Sequence, residues 1–345
     1  DATLEQMVVA MVVGYEGYVR IGRIGSPDLL NNGWQPHSVL ANFGAAAVAA
    51  KLFGFDVELT HHALAIAMSH CSGTTEYTST GGSIKRAHAG MAARNGIEAA
   101  ELARAGITGP RRYLTGNKGF YRTFIRKAIG HEVRGEFAPG QTLQHLQMWL
   151  KAYCCCGANH AYIDAMAGVQ ARVTEIETVE TNIQSMTDAC VGIKNEHRYD
   201  PRNIEELQYA LPVQMALAAL GKGNGYATHR AFLEGRLKLD ESSDVIRLAR
   251  KIQLTVSPEL DQRFVRNFVA DLTVFYRDGS SEHIFLERAK GMPSNPFTPQ
   301  EHRAKLDELT HEVIGAQQAT QLFDMVDALE PGRPVRELAA LTYKS

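Results

Sequence analysis

From Leu4 to Val19 apolar residues return with the helical period, and the small residues Gly14 and Gly17 within that stretch mark close helix packing or a bend. The segment from Ile24 to Pro36 is rich in Gly, Pro, Asn and Ser and reads as a loop. The Ala-rich run from Ser38 to Phe53 has the propensity of a helix packed tightly against its neighbours, with Gly54 as its stop. Helices are expected again from Val57 to His70 and from His88 to Ala105, the second after a Gly-Gly loop. After about Gln141 the pattern changes. β-Branched residues cluster from Val173 to Val179 and from Lys251 to Val256, and the runs from Phe268 to Phe275 and from Ser281 to Leu286, joined through Asp278-Gly279, read as a hairpin. Helical spacing lies between these strands, from Ile204 to Leu220 and from Asp244 to Ile252. It resumes after Pro293, from Pro299 to Ile314 and from Ala316 to Leu329.

The pattern predicts an α+β, mostly helical chain. A large all-helical domain starts with residues 1–140, a smaller α/β domain follows over 141–291, and residues 292–345 return as helices that pack on the first domain. No internal repeat of fixed period is evident, which argues against a solenoid.

Composition narrows the function classes. At 345 residues the chain exceeds one typical core, so two units are expected. The 45% apolar and 21% charged fractions are those of an ordinary globular protein. A net charge of -2, from 36 basic and 38 acidic residues spread along the chain, lacks the basic bias that phosphate backbones require, so nucleic acid is not an expected partner. The most apolar run, Phe43 to Phe55, contains Lys51 and is shorter than the roughly 20 residues of a membrane-spanning helix, so no membrane partner is expected. The five cysteines are odd in number, and Cys154, Cys155 and Cys156 are adjacent, unlike a disulfide framework or a zinc knuckle. A reducing, cytoplasmic setting is the simplest inference, with a mitochondrial one as the alternative in a eukaryote. No signal peptide precedes the first helix, and the chain opens at Asp1 without Met, as a piece of a longer gene product would.

Three loop-to-helix junctions carry candidate chemistry. In Gly33-Trp34-Gln35-Pro36-His37-Ser38, a helix start exposes backbone N–H groups suited to a carboxylate, and His37 adds a proton donor; the plainer reading makes Ser38 a helix cap and His37 a solvated side chain. In Thr80-Gly81-Gly82-Ser83-Ile84-Lys85-Arg86-Ala87-His88, two cations and an imidazole fall within four residues, which suits a di- or tricarboxylate; the alternative is a solvated basic turn. The glycine spacing fits no nucleotide fingerprint. In Lys151-Ala152-Tyr153-Cys154-Cys155-Cys156-Gly157-Ala158-Asn159-His160, leading into the helix that contains Asp164, Lys151, Tyr153 and His160 are pocket candidates, and the cysteines are expected mostly in the core. No His or Cys spacing supplies a metal site.

Taken together these segments resemble the MmgE/PrpD family. The resemblance rests on Gly14-Tyr15-Glu16 through Gly22, on Gly33-Trp34-Gln35-Pro36-His37 with Phe43-Gly44-Ala45-Ala46-Ala47, and on Lys85-Arg86-Ala87-His88-Ala89-Gly90-Met91-Ala92-Ala93. It extends through Gly106-Ile107-Thr108-Gly109-Pro110, Gly119-Phe120-Tyr121, Lys151-Ala152-Tyr153 and Lys290-Gly291-Met292-Pro293-Ser294-Asn295-Pro296, in order over essentially the whole chain. The family includes 2-methylcitrate dehydratase, cis-aconitate decarboxylase and iminodisuccinate epimerase. The resemblance therefore implies a helical domain and a smaller α/β lid with the active site between them, no metal or organic cofactor, and a homodimer. It also implies lyase chemistry on a small di- or tricarboxylate through a carbanion-like intermediate. An isomerase or epimerase, or a non-catalytic subunit, is the alternative. Carried over by position, Lys85 and Lys151 would pair with substrate carboxylates or developing negative charge, and His88 and His160 would stand in pocket segments. The expected catalytic set is His37, Lys85, His88, Lys151 and His160, with Lys85, Lys151 and His88 binding substrate and His37 or His160 moving protons, and Gln35, Ser38, Arg86 and Tyr153 are further substrate-binding candidates. Two departures stand out. The family's His-Pro loop reads Gln35-Pro36-His37 here, so either His37 substitutes from two residues along or Gln35 retains only a hydrogen bond. The family's upstream Asp-Asp-Thr-type segment has no match, which points to a fragment, a cleaved chain or a second polypeptide that supplies it.

Overall fold

A computed structural model of the protein describes residues 2–77, 82–264 and 267–343. The chain divides into two compact units, Asp1–Gln147 with Val313–Ser345, and Met148–Glu312.

The first unit is helical. Helix α1 (Leu4–Gly25) starts from a capping box, the Thr3 hydroxyl accepting from Gln6 N and the Gln6 amide accepting from Thr3 N. Helix α2 (Pro36–Leu52) packs against α1, against α3 (Val57–Ala67) and against α4 (Lys85–Arg104). The approach is close because the facing residues are small. A Cβ on Gly14 would lie 3.0 Å from the Gly44 carbonyl oxygen, and one on Gly96 would lie 2.6 Å from Ala46 N. The core of this unit gathers Phe43, Phe120 and Tyr121, with Phe43 and Phe120 edge to face at 5.2 Å and the Tyr121 hydroxyl donating to the Ile21 carbonyl at 3.2 Å.

The second unit carries α5 (His160–Ala167), β1 (Ile176–Ile183), α6 (Ile204–Tyr209), α7 (Leu211–Ala219), α8 (Tyr226–Leu233), α9 (Asp244–Ala249), β2 (Ile252–Val256), β3 (Ala270–Tyr276), β4 (Ser281–Leu286) and α10 (Pro299–Ile314), whose last turn crosses the boundary. The four strands form one mixed sheet in the order β2-β1-β3-β4. β1 and β2 are parallel and therefore need the long helical crossover between them, whereas β3 and β4 form the expected hairpin, with Gly279 at φ +82° in its turn. Every residue of α7 is buried, as a helix apolar at all positions but one requires. Its one polar residue, Gln214, is satisfied by the Leu207 carbonyl at 2.9 Å, by Asn224 at 2.8 Å and by His229 at 3.1 Å.

Several boundaries differ from the sequence expectation. The run from Ile204 to Leu220 is two helices, because Pro212 in the first turn of α7 brings no N–H to continue α6. The expected unit boundaries at 140/141 and 291/292 fall at 147/148 and 312/313. Residues 141–147 stay with the first unit because α1 holds them: Arg20 donates to the Thr142 carbonyl at 3.1 Å, Arg23 to the Gln144 amide oxygen, and Glu16 accepts from His145 N at 2.8 Å. Helix α10 goes with the second unit, where Glu308 accepts from Ala227 N at 2.8 Å and Glu301 pairs with Lys290 at 2.7 Å. The last segment, with α11 (Ala316–Ala328), is tied to the start of the chain by Leu4 N to the Arg333 carbonyl and Val335 N to the Ala2 carbonyl, both at 2.8 Å.

Candidate active site

In the first unit the loops before α2 and before α4 meet. Trp34 and Thr74 form an antiparallel bridge, Gln35 N donates to the Gly73 carbonyl at 3.0 Å, and Thr75 N donates to the Gly33 carbonyl at 2.9 Å. Helix α2 begins at Pro36, and its cap is the Gln35 side chain, which accepts from His37 N at 2.6 Å and Ser38 N at 3.3 Å. Ser38 is thus not the cap but a buried first-turn residue. Gly73 is wedged beside it: a Cβ there would lie 2.3 Å from Ser38 Oγ and 3.4 Å from His88 Nε2. The Gln35 amide nitrogen reaches the Tyr77 hydroxyl at 3.4 Å, and Tyr77 meets the His88 ring edge to face at 6.0 Å. Gln35, Ser38, Tyr77 and His88 therefore form one buried cluster, with the half-buried Gly73 wedged against it.

His88 is 5% exposed, its Nδ1 has no hydrogen-bond partner among the described residues, and burial lowers its pKa. A neutral imidazole is a proton acceptor. Three residues earlier on the same helix face, Lys85 opens α4, whose first turn has no side-chain cap among the described residues. The helix dipole, Lys85 and the exposed Arg86 all favour an anion at this end, although the first-turn N–H groups of Arg86 and Ala87 are taken by the Ser83 and Ile84 carbonyls. Thr80 and Gly81, the first residues of that loop motif, lie outside the described residues. Further along α4, Asn95 donates to Asn42 at 3.1 Å and Asn42 donates to the Ser38 carbonyl at 2.6 Å, a buried chain that fixes α4 against α2.

His37 is exposed at the start of α2 and stacks on Tyr18 with 6.1 Å between ring centroids. Burial, with the neighbouring Tyr15, pushes the Tyr18 phenol up to about 12, so its hydroxyl stays protonated and is a donor available to His37 Nδ1, 2.5 Å away. A neutral His37 then carries its hydrogen on Nε2.

The second unit holds the other group. Lys151 is exposed and donates to the Cys155 carbonyl at 3.0 Å. The Tyr153 hydroxyl donates to Asp164 Oδ1, and Asp164 Oδ2 accepts from Lys290 N at 2.8 Å. Burial raises the Asp164 pKa. His160 is fully buried with its ring edge to face with Trp149 at 5.4 Å and with Tyr153 at 5.1 Å, and neither ring nitrogen finds a hydrogen-bonding partner among the described residues. Burial, reinforced by the charges of Lys151 and Lys305 against the opposing nearby backbone of Cys155 and Tyr153, pushes the His160 pKa down to about 3. Cys155 is buried, with its thiol pushed up to about 12 by desolvation, and so behaves as core. Among the described residues no group of three or more His, Cys, Asp or Glu side chains converges as metal ligands, and no helix is long and apolar enough to cross a membrane.

Residues 1–132 match the MmgE/PrpD N-terminal domain and residues 153–330 the MmgE/PrpD C-terminal domain. The chain belongs to the MmgE/PrpD family. It is similar to a cis-aconitate decarboxylase of Aspergillus terreus, 27% identical over 358 residues that cover 98% of this chain and 71% of that protein. The cis-aconitate decarboxylase-like protein oryM of Aspergillus oryzae is 27% identical over 357 residues, 97% of this chain and 70% of that protein. The cis-aconitate decarboxylase of Mus musculus is 23% identical over 303 residues, 86% of this chain and 59% of that protein.

Within this MmgE/PrpD chain the structure brings together Gln35, Ser38 and His88, and separately Lys151, Tyr153 and His160. Sequence reasoning missed Gly73 and Tyr77, which sit on a loop with no periodic pattern, and Tyr18, whose role depends on where α1 meets the start of α2. It also passed over Asp164, although the Tyr-x10-Asp spacing into a helix was visible, and Lys305, which lies far along the chain from the groups it acts on.

Proposed function

We propose that the protein is a lyase that removes carbon dioxide or water from a small di- or tricarboxylate, in the manner of the cis-aconitate decarboxylases it resembles. The observation that carries this reading is the pairing, one helical turn apart on α4, of a lysine with a buried imidazole of lowered pKa, at a helix end that favours anions. Lys85 and Arg86 would bind substrate carboxylate. His88, neutral, would accept a proton, and His37, with its Nε2 hydrogen oriented by Tyr18, would donate one to the carbanion left by decarboxylation or to departing hydroxide. Within the second unit, taken by itself, Lys151 would offer its charge to a carboxylate, with the Tyr153 hydroxyl oriented by Asp164 and the His160 ring packed against Tyr153. Gln35 and Ser38 would line the imidazole.

The test is turnover of cis-aconitate and 2-methylcitrate, followed as carbon dioxide release and as change in double-bond absorbance. Lys85→Ala should lower kcat/KM by about 10²–10³, the scale expected when a preorganised charge is removed. A wild-type protein inert on both acids, or a Lys85→Ala variant with more than about a tenth of wild-type turnover, would overturn the reading. The neutral His88 and the Nε2–H of His37 also suit a two-base epimerase, in which a proton is removed and returned. Solvent deuterium entering substrate with no loss of water or carbon dioxide would identify that reaction.

A further inference from the structure

A cavity of about 280 Å³ opens in the second unit where β1 and β2 begin and β3 ends. Its apolar wall is Val173, Leu220 and Leu248, and its polar lining brings three cations together, Arg247, Lys251 and Arg277. The single acid in the lining, Asp244, is already paired with Lys222 at 3.2 Å. Arg247 donates to the Ser242 carbonyl, and the Arg277 guanidinium has no ion-pair partner among the described residues. Lys251 is fixed rather than free-swinging, because its ammonium donates to the Ile176 carbonyl at 2.6 Å. Burial lowers the Lys251 pKa, Arg277 lowers it further, and only Glu177 opposes them. Like charges held beside one another over an apolar surface cost free energy that a bound anion would return.

We propose that this cavity binds a small organic acid, its carboxylate between Lys251 and Arg277 and its hydrocarbon part against Val173, Leu220 and Leu248. The volume lies at the lower limit of small-molecule pockets, so the ligand is a short-chain acid rather than a nucleotide. The site is not the one that contains Lys151. Tyr162 on α5 donates to the Asn182 carbonyl at 2.7 Å, and Trp149 packs on Phe268 at 6.2 Å, so the Lys151 group lies by the end of β1 and the start of β3. The cavity lies by the start of β1, and an eight-residue strand separates the two by roughly 25 Å. A ligand here would act on the sheet, not as substrate, and the inference stands whether or not the lyase reading holds.

The experiment is calorimetric titration of the whole chain with glutarate, beside inorganic phosphate, for the wild type, Arg277→Gln and Lys85→Ala. Arg277→Gln should weaken one glutarate-binding event by at least about tenfold, the loss expected for one charge-assisted contact, while Lys85→Ala leaves that event intact. The Arg277 side chain has no hydrogen bond or ion pair among the described residues, and an unchanged melting temperature of the variant checks that folding does not need it. Lys251→Gln, which also loses the Ile176 contact, serves as the second variant. Glutarate binding unchanged in both variants overturns the proposal. So does phosphate that binds as tightly as glutarate and displaces it, because the apolar wall would then contribute nothing.

Discussion

The contact of Gly73 with Ser38 and His88 makes a prediction whose size can be worked out in advance. Gly73 has φ +98°, and a Cβ added there would meet Ser38 Oγ at 2.3 Å, Ser38 Cβ at 2.8 Å and His88 Nε2 at 3.4 Å. Two costs add in Gly73→Ala. A side chain in the left-handed region costs roughly 1–2 kcal/mol, and forcing a methyl into an occupied space costs about 1–3 kcal/mol. The first unit should therefore lose about 2–5 kcal/mol. Gly33 separates the two terms, since it has φ +84° with nothing within 4 Å of its would-be Cβ, and it neighbours the same Trp34–Thr74 bridge. Gly33→Ala should cost only the roughly 1–2 kcal/mol of strain. One tryptophan lies in each unit, so in a Trp149→Phe background urea unfolding followed by Trp34 fluorescence reports the first unit alone. Turnover is the second readout: moving Ser38 and His88 should lower kcat in Gly73→Ala by at least about tenfold relative to Gly33→Ala. Equal losses in the two variants would show that Ser38 and His88 do not press on Gly73, and the buried cluster would be wrong.

Two further predictions concern pH. His160 has a folded pKa near 3, below its unfolded value of about 6.5, so folding favours the neutral ring; stability is complete above the unfolded value and drains as pH falls toward the folded one. Between pH 7 and 5 the loss is about 2 kcal/mol, and His160→Phe, read by Trp149 fluorescence in a Trp34→Phe background, should remove most of it; an unchanged acid slope counts against the buried ring. For Glu16, burial alone would raise the pKa, but the hydrogen bonds from His145 and Arg20 and the Arg20 charge outweigh it and leave the pKa lowered. Its stabilisation is therefore present above the unfolded carboxylate pKa and lost as pH falls through the folded value. Glu16→Gln should cost about 1–3 kcal/mol at pH 7 and flatten the acid limb of Trp34-detected unfolding, whereas a parallel limb would show the pair to be inert.

What could be read from the sequence was what depends on neighbours along the chain. Helix α1 follows from its apolar spacing, and the β3–β4 hairpin from Asp278-Gly279, because period and turn chemistry are local. The break between α6 and α7 was missed because apolar spacing runs through it, although Pro212 stood there to be weighed. The end of α9 was misplaced for a similar reason: Ile252 fits a helix stripe and a buried strand equally, and only its pairing with Val179 decides between them. Lys85 and His88 were legible as an i, i+3 pair. Their companions were not, since the Gly73–Ser38 contact exists only once residues distant in sequence pair across Trp34 and Thr74.

Burial also decides what each imidazole can do, and sequence assigns that least well. Three histidines in polar motifs look interchangeable along the chain, yet one is exposed with its Nδ1 taken by Tyr18, one is buried with Nε2 toward Ser38 and Gly73, and one is sealed between Trp149 and Tyr153. Were His88 charged, it would add a third cation beside Lys85 and Arg86 and could accept nothing; burial keeps it neutral and leaves the anion to the lysine and arginine. In the proposed reaction that division matters, because a carboxylate substrate entering a site of uniformly charged imidazoles would be bound tightly in its ground state without a base to act on it, and binding of that kind lowers KM without raising kcat.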